Sequence, residues 1–475
     1  MVGITSYGAY IPLYRLSRDE ISRFWDTSSI KGERAVSNFD EDSLTMGVEA
    51  AIDCLNGVDR ELIDGLYFSS TTLPYNGKES ASILAAAGDL RRDIFTADFS
   101  SSLRAGSSAL RAAMSAVKGG VAKRVLVVSS DCRVPAPGSE HELLFGDGAA
   151  AFLVGDADVA VAVEESYSIT SDFMEIWKLE NDTYYRTWED RFIQSVYTQI
   201  VKETVSTLLG ESGYTPRDFT KAVFYGPDPR THAAIARELG FDPKTQVQDP
   251  LFSLVGNTGC ALAPMMIVAA LEEARAGDMI LFASYGDGCD AYILRVTDEI
   301  EKVRARRGIR GHLESKAMLP GYGSYLRFRN MMEWEYDLRP PDTSSLNLLW
   351  RERNQLLRFR GQKCRCCGTI QYPKQYVCVQ CQAKGDFDEV RLSDKKGELF
   401  SYSMDERAKV LVLPNVLAIV DFEGGGRFSS VMTDRDPKNL KVGMPVELTF
   451  RKIHDGSGIH NYYWKCRPVR CQEVA

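Results

Sequence analysis

RVLVVSSD at residues 124–131, followed by FGDGAAAFLVG at 145–155, is echoed later in the chain by MILFASYGDGCDAYILRV at 279–296. Each copy contains two apolar runs separated by a turn in which an aromatic residue precedes Gly-Asp-Gly. Apolar runs of this length, bounded by turn residues, indicate buried β-strands. The copies end near Gly155 and Val296 and so divide the first 300 residues into halves of similar length. The sequence therefore predicts a duplicated α/β unit.

The sequence around these copies alternates strand-like and helix-like stretches, which is typical of a layered α/β fold. Buried strands are predicted at 65–70, 125–130, 149–154, 222–225, 279–284 and 291–296. Helices are predicted at 80–88, 106–117, 191–209 and 262–276.

The composition changes after residue 296. EIEKVRARRGIRGH at 299–312 is highly charged and predicts a solvated helix or connection. DLRPPDTSS at 337–345 is typical of a boundary linker, and SSLNLLWRERNQLLRFRG at 344–361 predicts an amphipathic helix. From 397 to 469 short alternating strands are separated by glycine-containing turns. Five such strands predict a small barrel such as an OB-fold.

Two Cys-x-x-Cys pairs lie between the predicted helix and barrel, with ten residues between the pairs. Two knuckles of this kind place four thiolates in the tetrahedron that Zn²⁺ prefers, and Gly368 allows the tight turn of the first. Four protein ligands leave no open position, so the predicted metal is structural. A rubredoxin-like iron site has the same spacing. The predicted ligands are Cys364, Cys367, Cys378 and Cys381.

The overall composition limits the class of protein. The chain has 475 residues, of which 44% are hydrophobic and 26% charged, as in ordinary globular proteins of two or three domains. A formal net charge of −8 argues against a nucleic-acid partner. No run approaches the roughly 18 apolar residues of a membrane span. The N-terminus lacks signal-peptide features, so we expect a cytoplasmic protein. In such a protein, clustered cysteines are expected to bind metal.

Residues 360–470 resemble the zinc-ribbon/OB-fold family that accompanies thiolases and HMG-CoA synthases. The resemblance rests on the preceding helix, the C-x-x-C-G knuckle, Pro373 and the barrel. It implies a structural zinc ion and an acyl-CoA-binding module that often bridges thiolase-type enzymes.

Residues 1–330 resemble HMG-CoA synthase, a member of the thiolase superfamily. The resemblance rests on the order and spacing of GITSYGAYIP, RAGSSALRAAM, FGDGAAAFLVG, GNTGCALAP, SYGDGCDAY and GYGSYLRFRN. It implies the αβαβα thiolase-like fold, a coenzyme A thioester as substrate or ligand, and self-association through this domain. The expected division is a first thiolase-like half (1–155), a second half with an extension (156–335), linker and helix (336–360), zinc ribbon (361–390) and OB-fold (391–475).

The resemblance also implies a catalytic cysteine, glutamate and histidine, and this chain has none of them at the matching positions. The cysteine normally precedes an A-G-[TS]-x-A helix start, and Leu103 stands there. The glutamate of the S-E-S-x-P-Y motif corresponds to Thr71, and the histidine of F-H-x-P corresponds to Tyr225. Leucine cannot be acylated, threonine is no acid or base near neutral pH, and tyrosine is a poor base. Asn257 lies in the retained Gly-Asn motif, and together with Tyr225 it could still bind a substrate carbonyl. Alternatively, Asn257 supports a turn.

Other groups near these motifs offer weak substitutes. The serines at 100–102 precede the nucleophile position, but a polar turn explains them more simply. Cys260 and Cys289 are expected to be buried apolar residues. His141 lies in a motif near the expected rim of the site, whereas His232 is expected on a helix in a surface or core role. The aromatic stretches 173–177 and 184–188 line either an acyl pocket or a helix-packing core.

Three functional hypotheses follow from these residues. The first is an acyl-CoA-binding component of an acyltransferase complex that makes or cleaves a C–C bond next to a thioester, with a thiolase-family partner supplying the nucleophile. The second is a stand-alone enzyme with altered chemistry, such as retro-aldol cleavage of a β-hydroxyacyl-CoA, which needs no acyl-enzyme. The third, a nucleic-acid-binding zinc-ribbon/OB protein, conflicts with the net charge.

Overall fold

The computed structural model describes residues 1–28, 30–332, 344–456 and 458–470. The predicted linker at 337–345 and the predicted end of the second half at 335 fall almost entirely outside these residues. The chain forms two compact units: unit 1 contains Met1–Ser37, Asp42–Ser82 and Arg91–Tyr325, and unit 2 contains Asn38–Glu41, Ile83–Leu90 and Leu326–Ala475. No helix among the described residues is both long and apolar enough to cross a bilayer.

Up to residue 328 the chain contains fourteen strands and ten α-helices in the described part. The strands are β1 (Gly3–Tyr10), β2 (Tyr14–Ser17), β3 (Glu33–Val36), β4 (Gly65–Ser69), β5 (Phe95–Phe99), β6 (Arg124–Asp131), β7 (Gly148–Gly155), β8 (Val161–Thr170), β9 (Ile176–Trp177), β10 (Arg186–Thr187), β11 (Lys221–Phe224), β12 (Met279–Tyr285), β13 (Gly288–Val296) and β14 (Ala317–Met318). The helices are α1 (Arg18–Trp25), α2 (Ser43–Cys54), α3 (Ala81–Ala87), α4 (Ala105–Lys118), α5 (Glu140–Leu144), α6 (Asp190–Ser212), α7 (Pro229–Glu238), α8 (Leu262–Glu273), α9 (Gly308–Glu314) and α10 (Tyr322–Phe328).

Nine strands of unit 1 form one sheet in the order β11-β12-β13-β8-β1-β7-β6-β4-β5. The two sequence copies form the corresponding antiparallel pairs β6–β7 and β12–β13. On either side of the short β1–β8 pairing the order is mirrored, so each half contributes a parallel pair next to an antiparallel pair. The sequence prediction of a duplicated α/β unit with a thiolase-like fold is therefore confirmed.

Helix α8 is apolar on nearly every side and almost completely buried, as a helix packed between layers requires. Helix α6 ends where Gly213 adopts a left-handed conformation with φ of 76°, which suits glycine at a helix C-cap. The charged stretch 299–312 differs from a fully solvated connection, because Ile309 and His312 of α9 are buried. Two half-buried carboxylates cap the start of α9: Asp53 accepts from Gly308 N at 3.0 Å, and Glu272 accepts from Arg310 N at 3.2 Å.

In unit 2 the predicted single amphipathic helix is two short helices, because Glu352 interrupts the helical backbone between them. The remaining elements form a three-stranded ribbon sheet (β16-β15-β17) and a five-stranded sheet (β20-β19-β18-β21-β22). A parallel bridge between Met432 and Cys466 joins the two ends of the five-stranded sheet and closes it as the predicted OB-type barrel. The elements are α11 (Leu346–Arg351), α12 (Arg353–Leu356), β15 (Arg360–Cys364), β16 (Ile370–Gln371), β17 (Phe387–Arg391), β18 (Gly397–Asp405), β19 (Asn415–Phe422), β20 (Arg427–Val431), β21 (Pro445–Gly456) and β22 (Ile459–Pro468).

Candidate active site and metal centre

The residues at the three expected catalytic positions lie at the ends of secondary-structure elements in unit 1. Thr71 follows β4, Leu103 precedes α4, and Tyr225 follows β11. The carboxyl ends of parallel strands place such side chains at one edge of a sheet, where α/β proteins commonly bind ligands.

Thr71 is bound to a buried carboxylate that the sequence reasoning did not single out. Asp131, the last residue of β6, is 0% exposed and accepts hydrogen bonds from Thr71 N at 2.7 Å and Thr71 Oγ1 at 2.9 Å. The same carboxylate accepts from Ser70 Oγ at 3.1 Å, Thr72 Oγ1 at 3.3 Å and Cys260 N at 2.8 Å. The Thr71 hydroxyl thus has a structural partner, as a buried hydroxyl requires.

Leu103 is buried in the apolar core of unit 1. A Cβ atom placed on Gly286 would lie 2.9 Å from Leu103 Cβ and 2.6 Å from Arg104 N. Gly286 also has a positive φ of 153°, so a glycine is required at this close approach. The position at which the sequence predicts the nucleophile therefore holds a packed hydrocarbon side chain.

The serines before Leu103 form an exposed turn, with Ser101 at a φ of 67°. The Ser100 and Ser101 hydroxyls lie 3.4 Å apart, and Ser102 Oγ accepts from Arg104 N at 3.4 Å. These contacts are those of a polar turn before a helix.

Tyr225 and Asn257 lie together. Asn257 Nδ2 donates to Tyr225 Oη at 3.2 Å, while its Oδ1 accepts from Arg133 Nη2 at 2.7 Å and from Gly259 N at 3.0 Å. The Arg133 guanidinium lies 3.9 Å from the centre of the Phe145 ring, a cation–π contact. The amide of Asn257 is thereby fixed with its nitrogen toward Tyr225. Burial raises the pKa of Tyr225, so its phenol is a hydrogen-bond donor and not a base at neutral pH.

The aromatic segment 173–188 reaches the same region. Tyr185 Oη donates to the backbone oxygen of Thr71 at 3.2 Å and lies 3.4 Å from Thr71 Oγ1. Burial raises the Tyr185 pKa to about 12. The sequence left two alternatives for this segment, an acyl pocket or a helix-packing core. The contacts of Tyr185 with Thr71 support a position in the site.

Glu175 is a second charged group that the sequence reasoning missed. It is half-buried, and its carboxyl forms a side-chain hydrogen bond with the Tyr285 phenol. Burial raises the pKa of Glu175 to about 7, although this hydrogen bond and the nearby Arg133 charge lower it. Burial also raises the pKa of Tyr285, whose ring stacks on that of Tyr225 with centroids 6.2 Å apart. A lone acid inside FMEIW was the only sequence signal for this residue.

The other candidate nucleophiles and bases are buried or half-buried in uncharged forms. Burial raises the pKa of Cys260 well above its usual value and that of Cys289 to about 12, so both are thiols at neutral pH. Burial lowers the pKa of His141 and of His232 to about 4. His141 stacks on Phe145 with ring centroids 4.8 Å apart, whereas His232 lies buried in α7, one of the two roles expected for it.

The four predicted metal ligands converge in unit 2, where their sulfur atoms all lie within 4.8 Å of one another. Cys364 Sγ lies 3.6 Å from Cys381 Sγ, and Cys367 Sγ lies 3.5 Å from Cys378 Sγ. Zn–S bonds of about 2.3 Å in a tetrahedron correspond to sulfur separations of about 3.8 Å. The donor set and spacing therefore fit a structural zinc ion.

Two matching turns produce this arrangement. Gly368 N donates to Cys364 O at 2.9 Å, and Gln382 N donates to Cys378 O at 3.0 Å. Gly368 and Gln382 both adopt positive φ, at 78° and 61°. Cys366, between the first two ligands, is exposed and lies outside the cluster.

Unit 2 also contains a cleft of about 540 Å³ between the ribbon strand β16 and the turn that joins β19 to β20. Tyr372, Phe422 and Arg427 line it. The Arg427 guanidinium pairs with Asp421 at 2.6 Å and lies 3.7 Å from the centre of the Phe400 ring. The cleft thus offers aromatic faces and, at one edge, an arginine whose charge is paired with that of Asp421, which also lines the cleft.

The fold and the sequence motifs of unit 1 define a thiolase-superfamily protein, and comparisons with known proteins agree. Residues 97–172 match the 3-oxoacyl-[acyl-carrier-protein] synthase III family. The chain is 18% identical to an HMG-CoA synthase solved in complex with CoA, with a TM-score of 0.63 over 72% of this chain and 95% of that one. For 3-oxoacyl-[acyl-carrier-protein] synthase III of Aquifex aeolicus the identity is 23% and the TM-score 0.55, over 62% of this chain and all of that one.

Sequence similarity identifies the family within that superfamily. The chain is 36% identical over 311 residues to the hydroxymethylglutaryl-CoA synthase of Pyrococcus horikoshii, which covers 64% of this chain and 89% of the relative. It is 33% identical over 345 residues to that of Methanopyrus kandleri, covering 70% of this chain and 98% of the relative. The chain belongs to the hydroxymethylglutaryl-CoA synthase family. This membership supports a thiolase-type enzyme that forms C–C bonds.

The C-terminal part matches different families. Residues 355–388 match the rubredoxin-like zinc ribbon domain of ChsH2, and residues 389–451 match the ChsH2 C-terminal OB-fold domain. The predicted fusion of an HMG-CoA synthase-like domain to a zinc ribbon and an OB-fold is confirmed.

Proposed function

We propose that this chain is the acyl-CoA-binding subunit of a thiolase/HMG-CoA synthase-type complex that makes or cleaves a C–C bond next to a thioester. The observation that carries this proposal is the buried Leu103 at the nucleophile position. In this proposal an active thiolase partner supplies the cysteine that is acylated. A cytoplasmic location, self-association through unit 1 and the absence of a nucleic-acid partner stay predictions.

The surroundings of Leu103 support the loss of acyl transfer from this chain. The Thr71 hydroxyl is held by Asp131, and the raised pKa of Tyr225 excludes it as a base. The buried thiols of Cys260 and Cys289 are protonated at neutral pH, so they are poor nucleophiles. Formation of an acyl-enzyme needs a thiolate or an activated hydroxyl, and neither is supported here.

In this proposal acyl-CoA binds to unit 1, which family membership supports, and to unit 2, which the resemblance of its zinc-ribbon/OB module supports. In this module a zinc ion held by the four cysteines would fix the two knuckles and supply no chemistry, since all four ligands would come from the protein. The cleft lined by Tyr372 and Arg427 suits a ligand with a flat ring, which could stack beside the Arg427–Asp421 pair. We expect Arg427→Ala to weaken acetyl-CoA binding measured by calorimetry, while Arg365→Ala, at an exposed ribbon arginine, leaves it unchanged.

The complex itself is tested by purification from the native cell followed by incubation with radiolabelled acetyl-CoA. We expect a thiolase-family protein with its own catalytic cysteine to co-purify and to carry the label after denaturation, with this chain unlabelled. Purification of this chain alone, with label on one of its own residues, would contradict the proposal.

A second function is favoured by one specific arrangement. Because Tyr225 Oη accepts from Asn257 Nδ2, the phenol proton can be donated to a thioester carbonyl. Carbonyl activation without an acyl-enzyme suits retro-aldol cleavage of a β-hydroxyacyl-CoA. If the chain alone cleaves 3-hydroxy-3-methylbutyryl-CoA and Tyr225→Phe abolishes cleavage, this second function replaces the first.

A further inference from the structure

The cleft between β16 and the turn that joins β19 to β20 has largely apolar walls. Ile370, Tyr372 and Val379 come from the ribbon, and Phe422 comes from the barrel. Val379 is 71% exposed, so the cleft opens to solvent on this side. Its volume of about 540 Å³ lies within the range of about 300–1,000 Å³ that is typical of small-molecule sites. The cleft can therefore hold a flat ring together with part of the group attached to it.

Three consecutive glycines keep the barrel side of this cleft open. Gly424, Gly425 and Gly426 have φ angles of 77°, 104° and 98°, which favour glycine. A Cβ atom placed on Gly426 would lie 3.3 Å from Ile370 Cγ2 and 3.6 Å from Phe422 Cδ2. Both of these residues line the cleft, so a side chain at this position would occupy space between the ribbon and the barrel.

The polar edge of the cleft consists of one planar ion pair. Arg427 Nε donates to Asp421 Oδ1 at 2.6 Å, and its Nη2 donates to Oδ2 at 2.7 Å. The Arg427 side chain is 53% exposed, and a planar guanidinium is a stacking surface for a nucleic-acid base. The carboxylate of Asp421 keeps lone pairs that can accept from an amino group. Because the two charges cancel, this edge favours an uncharged ring with donors and acceptors over a phosphate.

A separate cation lies beside the glycine turn. Lys395 Nζ donates to Glu423 O at 2.7 Å, and a Cβ atom placed on Gly424 would lie 3.4 Å from the same nitrogen. An ammonium group has three donors, so the bond to Glu423 leaves Lys395 able to bind a phosphate oxygen. The region thus combines a neutral site for a flat ring with a neighbouring positive charge.

We propose that this cleft binds the adenine ring of coenzyme A, with a phosphate of the same ligand beside Lys395. This inference rests on the proposed acyl-CoA-binding function and names the part of the ligand that unit 2 holds. Adenine offers a flat face to Tyr372 and Arg427 and an amino donor to Asp421. An acyl or pantetheine chain would contact the apolar walls but has no flat ring to stack on these groups.

The test is calorimetric titration of the full chain with adenosine 3′,5′-bisphosphate, which carries the ring and phosphates but no thioester. Pantetheine, which carries the opposite end of coenzyme A, is the second probe. Hydrogen exchange read by mass spectrometry then locates each probe. We expect the bisphosphate to bind and to slow exchange in peptides covering 367–380 and 418–430, and pantetheine to leave these peptides unchanged.

Two variants test the ring site and a third tests the phosphate. Arg427→Ala should weaken bisphosphate binding roughly 5- to 150-fold, the range that stacking of one base contributes. Gly426→Ala should weaken it by about tenfold or more, because the new Cβ narrows the cleft against Ile370. Lys395→Gln should weaken the bisphosphate but leave binding of unphosphorylated adenosine unchanged.

Matched controls separate these effects from general damage to unit 2. Arg365→Ala removes an exposed ribbon arginine that lies outside the cleft. Gly443→Ala introduces a side chain at a φ of 86° in a different turn of the barrel. Both should bind the bisphosphate like the unaltered chain. If Gly426→Ala fails to fold, Arg427→Ala and Lys395→Gln decide the test.

Several outcomes would overturn the inference. Equal affinity for the bisphosphate in the unaltered chain, Arg427→Ala and Gly426→Ala is one, and protection of these peptides by pantetheine alone is another. Tighter binding of ATP than of acetyl-CoA at these peptides would assign the ring site to a free nucleotide. Acetyl-CoA binding that no cleft variant weakens would refute the cleft and leave the proposed function standing. Bisphosphate binding by a chain that does not bind acetyl-CoA would contradict the proposed function and leave the ring site standing.

Discussion

Replacing Asp434 by asparagine should destabilise the barrel of unit 2, because Asp434 belongs to a buried cluster of charges. Its carboxylate pairs with Arg451 at 2.6 Å and with Arg467 at 3.5 Å, and it accepts from Asn38 Nδ2 at 2.9 Å. Asp40 adds pairs to Arg451 at 3.2 Å and to Lys465 at 2.8 Å. The side chains of Asp434 and Arg451 are both 0% exposed.

The loss of stability caused by Asp434→Asn can be estimated in two ways, from the pKa of Asp434 and from the typical cost of breaking a buried ion pair. Burial alone would raise the pKa of Asp434, but the charges of Arg451 and Arg467 outweigh it and lower the pKa from 3.8 to about 2. At about 1.4 kcal/mol per pKa unit this corresponds to roughly 2 kcal/mol of stability. Removing one member of a buried ion pair typically costs about 3–5 kcal/mol. The lowered pKa means that this stability is present above pH 4 and is lost as pH falls through about 2.

Hydrogen exchange read by mass spectrometry on peptides from β20, β21 and β22 is the appropriate assay, because a chain of two units need not unfold in one step. We expect Asp434→Asn to increase the opening of these strands at pH 7 by an amount equivalent to about 2–5 kcal/mol. The matched control is Asp436→Asn, at an exposed acid two residues away. Equal protection in Asp434→Asn and the unaltered chain would refute the reasoning.

Three further perturbations test the metal centre and the site. Cys381→Ser should lose stoichiometric metal and unfold the ribbon, as seen by metal analysis and proteolysis, whereas Cys366→Ser should keep the metal. Gly286→Ala should lower the melting temperature of unit 1, because its new Cβ would lie 2.9 Å from Leu103 Cβ; an unchanged melting temperature would contradict this contact. Asp131→Asn should destabilise unit 1 by about 1–3 kcal/mol in urea unfolding, because an amide cannot accept all the hydrogen bonds of the carboxylate.

The fold was predictable because its signals are local. The repeated Gly-Asp-Gly pattern indicates two hairpins, and these form β6–β7 and β12–β13. The candidate metal ligands could be predicted equally well from the sequence, since two knuckles of fixed spacing define them within 18 residues. The helix predicted at 344–361 was only partly correct: its apolar pattern is helical, but the backbone turns at Glu352.

The polar contacts of the site could not be predicted in the same way, because they join residues far apart in the chain. Asp131 reaches Thr71 across 60 positions, and Asn38 reaches Asp434 across 396. Glu175 carries no motif, and its raised pKa depends on burial that only the folded chain produces. The sequence motifs predict which catalytic residues are missing, whereas the structure was needed to find which groups surround the expected positions.

The central claim is that this chain forms no acyl-enzyme, because Leu103 occupies the position of the nucleophile. Intact-mass spectrometry of the purified full chain after incubation with acetyl-CoA tests it most directly. The account predicts an unmodified mass for the chain alone, with acetyl groups found only on a thiolase partner when one is present. An acetyl adduct mapped to a residue of unit 1, whether at the half-buried Cys132 or in the serine turn before Leu103, would contradict it.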